Sequence, residues 1–186
     1  MKQFNIPGRA FLDTSVINFI LDFGEQIHDG IQPPDDLNDY QIKDIDALYN
    51  IFLTGKSASW QFAISPQVYH EVIKTNNPHK KKWLTNWFFE IWEYWREIIN
   101  KNDDLPNFIE AENIRLKLLT SDMLVNLPDF YDKLLIIDAI VYNCDLFCTR
   151  DWKSILKHRD NLKDINIPIL TPNEWWGKIK PYANIF

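Results

Sequence analysis

Apolar and polar positions alternate along the chain in a way that separates short apolar runs from longer stretches of helical period. Arg9-Ala-Phe-Leu is such a run and ends at Asp13. From Thr14 to Phe23 the residues Val16, Ile17, Ile20 and Leu21 fall at helical spacing, which predicts strand, sharp turn, helix. Gly30 to Asp39, with Pro33-Pro34-Asp35-Asp36, predicts a loop, and Tyr40 to Leu53 a second helix. Phe62 to Ser65 predicts a second strand, after which Ser65 and Pro66 supply an N-cap and a first-turn proline for a helix carrying Glu71.

Asn76-Asn77-Pro78 ends that helix. Trp83 to Ile99 then predicts a long helix with a wide apolar face of Leu84, Trp87, Phe88, Ile91, Trp92, Trp95 and Ile98. A stripe this wide is read first as core, with a homodimer or partner surface as the alternative. Asn100 to Pro106 is polar loop and Phe108 to Leu119 a further helix. Pro128-Asp129 opens a helix over Phe130 to Tyr142, and Leu146 to Thr149 is a third strand. Ile167 to Thr171 is a fourth strand, edge-like because of Pro168, and Thr171-Pro-Asn-Glu174 has capping-box spacing. Strands alternating with helices predict a three-layer α/β/α fold with a mostly parallel four- to five-stranded sheet. We expect one domain over 1–186, its core at about 8–177, with a helical insertion at about 78–125.

Composition changes this picture little. With 46% hydrophobic residues, eight tryptophans and five glycines, the chain reads as packed rather than disordered. Cys144 and Cys148 lack a second Cys or His pair at metal spacing and read as buried free thiols, which suits a reducing compartment. No apolar run has signal-peptide or membrane-span length, so a cytoplasmic protein without membrane association is expected. The formal net charge of −6 argues at first against a nucleic-acid partner. Its distribution is uneven, however: eight acids and one lysine lie between Asp22 and Asp46, whereas Arg150 to Lys163 holds five Lys or Arg against two Asp.

The candidate chemistry comes from four acids. In an open parallel sheet, ligands bind beyond the carboxyl ends of the strands. Asp13 ends the first strand there, and Asp151 follows the third. Glu71 lies on the helix that leaves the second strand, and Asp132 near the start of a helix that must run back toward the same edge. Four carboxylates gathered in this way repel one another, and a hard divalent cation, Mg²⁺ or Mn²⁺, relieves the repulsion. No His or Cys accompanies them, which disfavours zinc. Taken singly, each has an ordinary reading as a cap, a solvated helix charge or a turn residue. Asp138 is the alternative to Asp132. It lies about 9 Å farther from the edge and roughly 240° around the helix, so we read it as a hydrogen-bonded structural acid. Other uses of a strand-ending aspartate fit less well. Ser15 stands where a haloacid-dehalogenase-type enzyme needs a second Asp, Ile17 where a DxSxS metal site needs Ser, and there is no phosphate-binding glycine loop.

The ordered motifs Phe11-Leu-Asp13-Thr-Ser-Val, Ser65-Pro-Gln-Val-Tyr-His-Glu71, Asp132-Lys-Leu-Leu-Ile-Ile-Asp-Ala-Ile-Val and Thr149-Arg-Asp151, with the closing run Ile167-Pro-Ile-Leu-Thr-Pro-Asn-Glu174, resemble the PIN-domain superfamily, notably its VapC-like ribonucleases. The resemblance covers roughly residues 8 to 177. It implies a PIN-like fold and a Mg²⁺- or Mn²⁺-dependent endoribonuclease in which Asp13, Glu71, Asp132 and Asp151 are the metal and catalytic acids. Ser15 and Thr149 match supporting hydroxyl positions. It also implies an RNA substrate and the role of toxin beside an antitoxin protein. Arg150, Lys153, Lys157 and Arg159, with His158 and Lys163, are candidate RNA contacts, or else a solvated helix face. His79-Lys80-Lys81-Lys82 is a second strip of the same ambiguity. The rival readings are a non-catalytic interaction module that presents the Trp-rich helix, and a structure-specific DNA nuclease.

Overall fold

The computed structural model describes residues 7–162 and 165–185. Strand β1 (Arg9–Leu12) leads into α1 (Thr14–Asp22) and the short α2 (Gly24–Asp29), then α3 (Asp39–Ala58). Strand β2 (Gln61–Ala63) is followed by α4 (Pro66–Ile73), α5 (Pro78–Lys101), α6 (Phe108–Leu119) and α7 (Phe130–Val141). Strand β3 (Leu146–Cys148), α8 (Ile155–His158), β4 (Ile169–Leu170) and α9 (Pro172–Ile179) complete the order. The four strands form one parallel sheet in the order β2-β1-β3-β4, so β1 and β3 are central and β4 is an edge. Pro168 precedes β4, has no N–H to offer, and contributes its carbonyl to Phe147 N at 3.0 Å.

Helices start where side chains satisfy the first free N–H groups. Asn38, Asn107 and Thr171 form complete capping boxes with Gln41, Glu110 and Glu174. Asn77 caps α5 and Pro78 opens it, so the helix begins a turn before its apolar stripe. α2, which the acidic composition hides, contributes the buried Ile27 and ends at Gly30 in a left-handed conformation (φ 68°). At that position a β-carbon would also stand 3.1 Å from the Tyr49 ring.

Phe11 and Phe147 stack across the central strands with ring centroids 5.3 Å apart. They sit in a core that α1, α3, α4, α7 and α9 close, with Trp175 fully buried. The stripe of α5 divides. Leu84, Phe88, Trp95 and Ile99 are buried, Trp87, Ile91, Trp92 and Ile98 are partly buried, and Trp83, Phe89 and Tyr94 face solvent. Trp95 meets Tyr142 edge-on at 5.7 Å, with the Arg9 guanidinium 5.5 Å over its ring. Full burial of each such side chain contributes roughly 1.5–3 kcal/mol, so this helix belongs to the core on one side only. Cys144 and Cys148 are free and buried. No helix among the described residues is long and apolar enough to cross a membrane.

Candidate metal centre

The central strands deliver two of the four acids directly. Asp13 follows β1 and donates its backbone N–H to Cys148 O at 3.0 Å, which keeps β1 and β3 in register up to the carboxyl edge. Thr149 follows β3 and donates its N–H to Leu170 O at 3.0 Å. Helix α7 reaches β3 through a tight turn at Tyr142 to Asp145, and the Tyr142 carbonyl accepts from Arg9 Nη1 at the amino end of β1. The opposite, N-terminal end of α7, with Asp132, therefore lies at the carboxyl edge. Helix α4 leaves that edge after β2 and carries Glu71.

Hydroxyl groups hold the carboxylates in place. Asp13 Oδ2 accepts from Ser15 Oγ at 2.5 Å and from Thr149 Oγ1 at 2.6 Å. Those hydroxyls in turn accept N–H donors from the turn after β3: Arg150 N to Ser15 Oγ at 2.9 Å, and Asp151 N to Thr149 Oγ1 at 3.0 Å. Asp151 Oδ1 accepts from the N–H groups of Lys153 and Ser154 at 2.8 and 2.9 Å. Ser154 Oγ reaches both Asp151 Oδ2, at 2.8 Å, and Asp132 Oδ2. A hydroxyl has one proton, so it cannot donate to two ionised carboxylates at once.

The electrostatics agree with that shortage of protons. Burial pushes Asp13 up to about 6 against the lowering effect of its two hydroxyl donors, and Glu71 and Asp151 add repulsion. Burial likewise lifts Asp132 to about 6. Ser154 opposes the rise, while Asp129, Asp13 and Asp151 add to it. Glu71 is raised by burial, lowered by the Thr14 hydroxyl, and raised again by Asp132. Each of the four acids is thus within electrostatic reach of at least two of the others, and Asp129, the N-cap of α7, acts on Asp132 and Glu71. Thr14 Oγ1 is near enough to act on Glu71, yet it is buried and completes no well-formed hydrogen bond.

Asp138 is used elsewhere. It is fully buried, accepts from Arg115 Nε at 2.7 Å, forms an ion pair with Arg115 Nη2 at 2.5 Å, and is bonded by Ser65 Oγ. Two of the four cations that the sequence offers as RNA contacts are also engaged internally. The Arg150 guanidinium lies 3.5 Å over the Phe19 ring and pairs with buried Asp44 at 2.7 Å. Arg159 makes a two-pronged contact to Glu174 at 2.6 and 2.7 Å. Lys153 and Lys157 are exposed, and Lys163 lies outside the described residues. In the second basic strip, Lys80 pairs with Asp22 at 2.5 Å.

Comparison of the chain with protein-family models, curated proteins and solved structures finds no match. The chemistry of the site therefore rests on its own atoms. Its donors are all oxygen, the ligand type a hard divalent cation takes. As they stand, no three His, Cys, Asp or Glu side chains among the described residues are drawn into a group that could hold a metal ion.

Ser154, Asp129 and Asp44 are the residues that reading the sequence did not assign. Ser154 was visible as a hydroxyl three positions after Asp151, a spacing that lets one carboxylate cap the following turn. Asp44 gave no local signal, because its partners Arg150 and Asn173 come from remote parts of the chain.

Proposed function

We propose that this chain is a divalent-metal-dependent endoribonuclease of PIN-like fold, with Asp13, Glu71, Asp132 and Asp151 as its metal-holding acids. The observation that carries the reading is the set of mutually repelling carboxylates at the carboxyl edge of a parallel sheet, against which Lys74 acts on Glu71. Arg150, which follows β3 at the same edge, is turned onto Phe19 and Asp44. Such a cluster is unfavourable without a cation. Mg²⁺ or Mn²⁺ bound there would supply charge to a phosphodiester oxygen and acidify a water.

The chain's own groups set the conditions. Ser15 and Thr149 fix the Asp13 carboxylate by two hydrogen bonds, and Ser154 ties Asp132 to Asp151. Near pH 6 Asp13 and Asp132 exchange their protons, so above that pH they are free to serve as ligands. Lys153, two residues after Asp151, and Lys157 on α8 are exposed and left to meet the phosphate backbone. The toxin role and an antitoxin partner belong to this proposal as its biological setting.

The test is cleavage of single-stranded RNA by purified protein. Cleavage should require Mg²⁺ or Mn²⁺, stop with EDTA, and fall at least ~100-fold in Asp13→Asn and Asp151→Asn. Cleavage that survives Asp13→Asn would sink the reading. A second reading, a protein-interaction module, is favoured by the exposed Trp83, Phe89 and Tyr94 of α5 beside Phe108 and Ile109 of α6. It predicts no metal-dependent activity at all.

A further inference from the structure

Three large aromatic side chains stand in solvent directly beside the acids. Phe130 and Tyr131, on the first turn of α7 just before Asp132, are 57% and 39% exposed. Trp152, immediately after Asp151, is 57% exposed. Exposed rings of this size are unfavourable in water, and here they flank two carboxylates that one hydroxyl, Ser154, joins. Phe130 and Tyr131 pack edge to face with centroids 6.1 Å apart, and Phe130 is the more exposed of the two. Lys74 comes from the helix that carries Glu71. Its ammonium lies 4.7 Å over the Tyr131 ring and lowers the Glu71 carboxyl. Lys153 is exposed next to Trp152.

Rings and lysines alternating around an acidic centre suit a ligand with planar bases and a phosphate chain. We infer that Phe130, Tyr131 and Trp152 form a stacking platform that holds unpaired bases on either side of the phosphodiester presented to the acids. Lys74 and Lys153 meet the adjoining phosphates. This rests on the nuclease reading and adds to it the side chains that select an unpaired strand, because a base inside a duplex has no free face to stack on these rings.

The test measures binding without metal. Fluorescence anisotropy in EDTA compares a short labelled RNA strand with the same strand in a duplex and with a base-free ribose-phosphate chain of equal length. Wild type should prefer the base-bearing single strand. Trp152→Ala and Phe130→Ala, at exposed positions the fold does not depend on, should each weaken that strand about tenfold, and leave the base-free chain unchanged. Trp152→Phe should keep most of the affinity. Lys74→Gln should weaken both chains alike, since it meets phosphate.

Equal binding of base-bearing and base-free chains, or alanine variants that bind as wild type, would overturn the inference. So would rings whose removal dissociates a dimer in sedimentation while RNA binding stays the same, for they would then belong to a protein interface. Its failure and that of the nuclease reading are separable. Base-dependent binding without cleavage in any metal keeps the platform and ends the nuclease, whereas metal-dependent cleavage with no base preference does the reverse.

Discussion

Helix α7 carries two buried aspartates fewer than two turns apart, and the protein treats them in opposite ways. Asp138 is wholly enclosed and is answered by the Arg115 guanidinium and the Ser65 hydroxyl. Asp132 is nearly as buried, at 8% exposure, but is answered only by the Ser154 hydroxyl and faces Asp129, Asp13 and Asp151. The first is a closed ion pair that pins α6 to α7 and α4. The second is an open negative charge that the fold tolerates without compensating. A buried carboxylate with a built-in cation is architecture; one surrounded by like charges is where the proposed divalent cation would sit.

The comparison breaks most readily at Asp138. Arg115→Ala leaves that carboxylate buried and unpaired, and urea unfolding should show a loss of about 3–5 kcal/mol. Replacing both partners, Arg115→Met with Asp138→Leu, should recover much of it. A loss below about 1 kcal/mol in the single variant would mean that the pair is not structural.

At the other end of the helix the sign reverses. Asp13 and Asp132 have folded values near 6, above their ordinary 3.8. A raised folded pKa favours folding while the group is protonated, and that contribution is lost as pH rises from about 4 through about 6. In EDTA at pH 7, therefore, Asp13→Asn and Asp132→Asn should each stabilise the protein, on the order of 2 kcal/mol. The same variants should lose the rise in Tm that Mn²⁺ gives to wild type. Destabilisation by Asp132→Asn in EDTA would place it with Asp138 as a structural acid.

The same sign gives a pH prediction with a smaller effect. Metal-free wild type should melt several degrees higher at pH 5 than at pH 7, and Asp132→Asn should flatten that dependence. Calorimetry across this range decides it. Ser154→Ala should have the smallest effect, about 1 kcal/mol. It removes the hydroxyl between Asp132 and Asp151 and so should move the Asp132 titration upward, which carbon-detected NMR of the carboxyl group can follow.

These contrasts also mark what the sequence made legible. The strands and the helix from Phe108 to Leu119 were plain because local apolar period and capping residues coincide there. Helix α3 starts within one residue of the expected Tyr40, whereas α5 starts at Pro78, well before the expected Trp83. Asn77 caps α5 ahead of its apolar stripe, while α4 already ends at Ile73, before the Asn76-Asn77-Pro78 run expected to close it. The far end of α3 runs past Leu53 to Ala58, and there Gly55 packs against Trp60, where a β-carbon would stand 3.0 Å from the indole. The four acids could be named from their positions after strands and at helix starts. What could not be read was who neutralises whom. Arg115 answers Asp138, Asp44 holds Arg150, and Glu174 takes Arg159, so cations that look free along the chain are committed in space.

The most direct test of the account is a titration of Mn²⁺ into metal-free protein at pH 7 by calorimetry, on wild type, Asp13→Asn and a folded Asp138→Asn. Saturable binding below millimolar concentration in wild type and Asp138→Asn, lost in Asp13→Asn, is the predicted result. No saturable binding to wild type, or binding that Asp13→Asn leaves untouched, would contradict it.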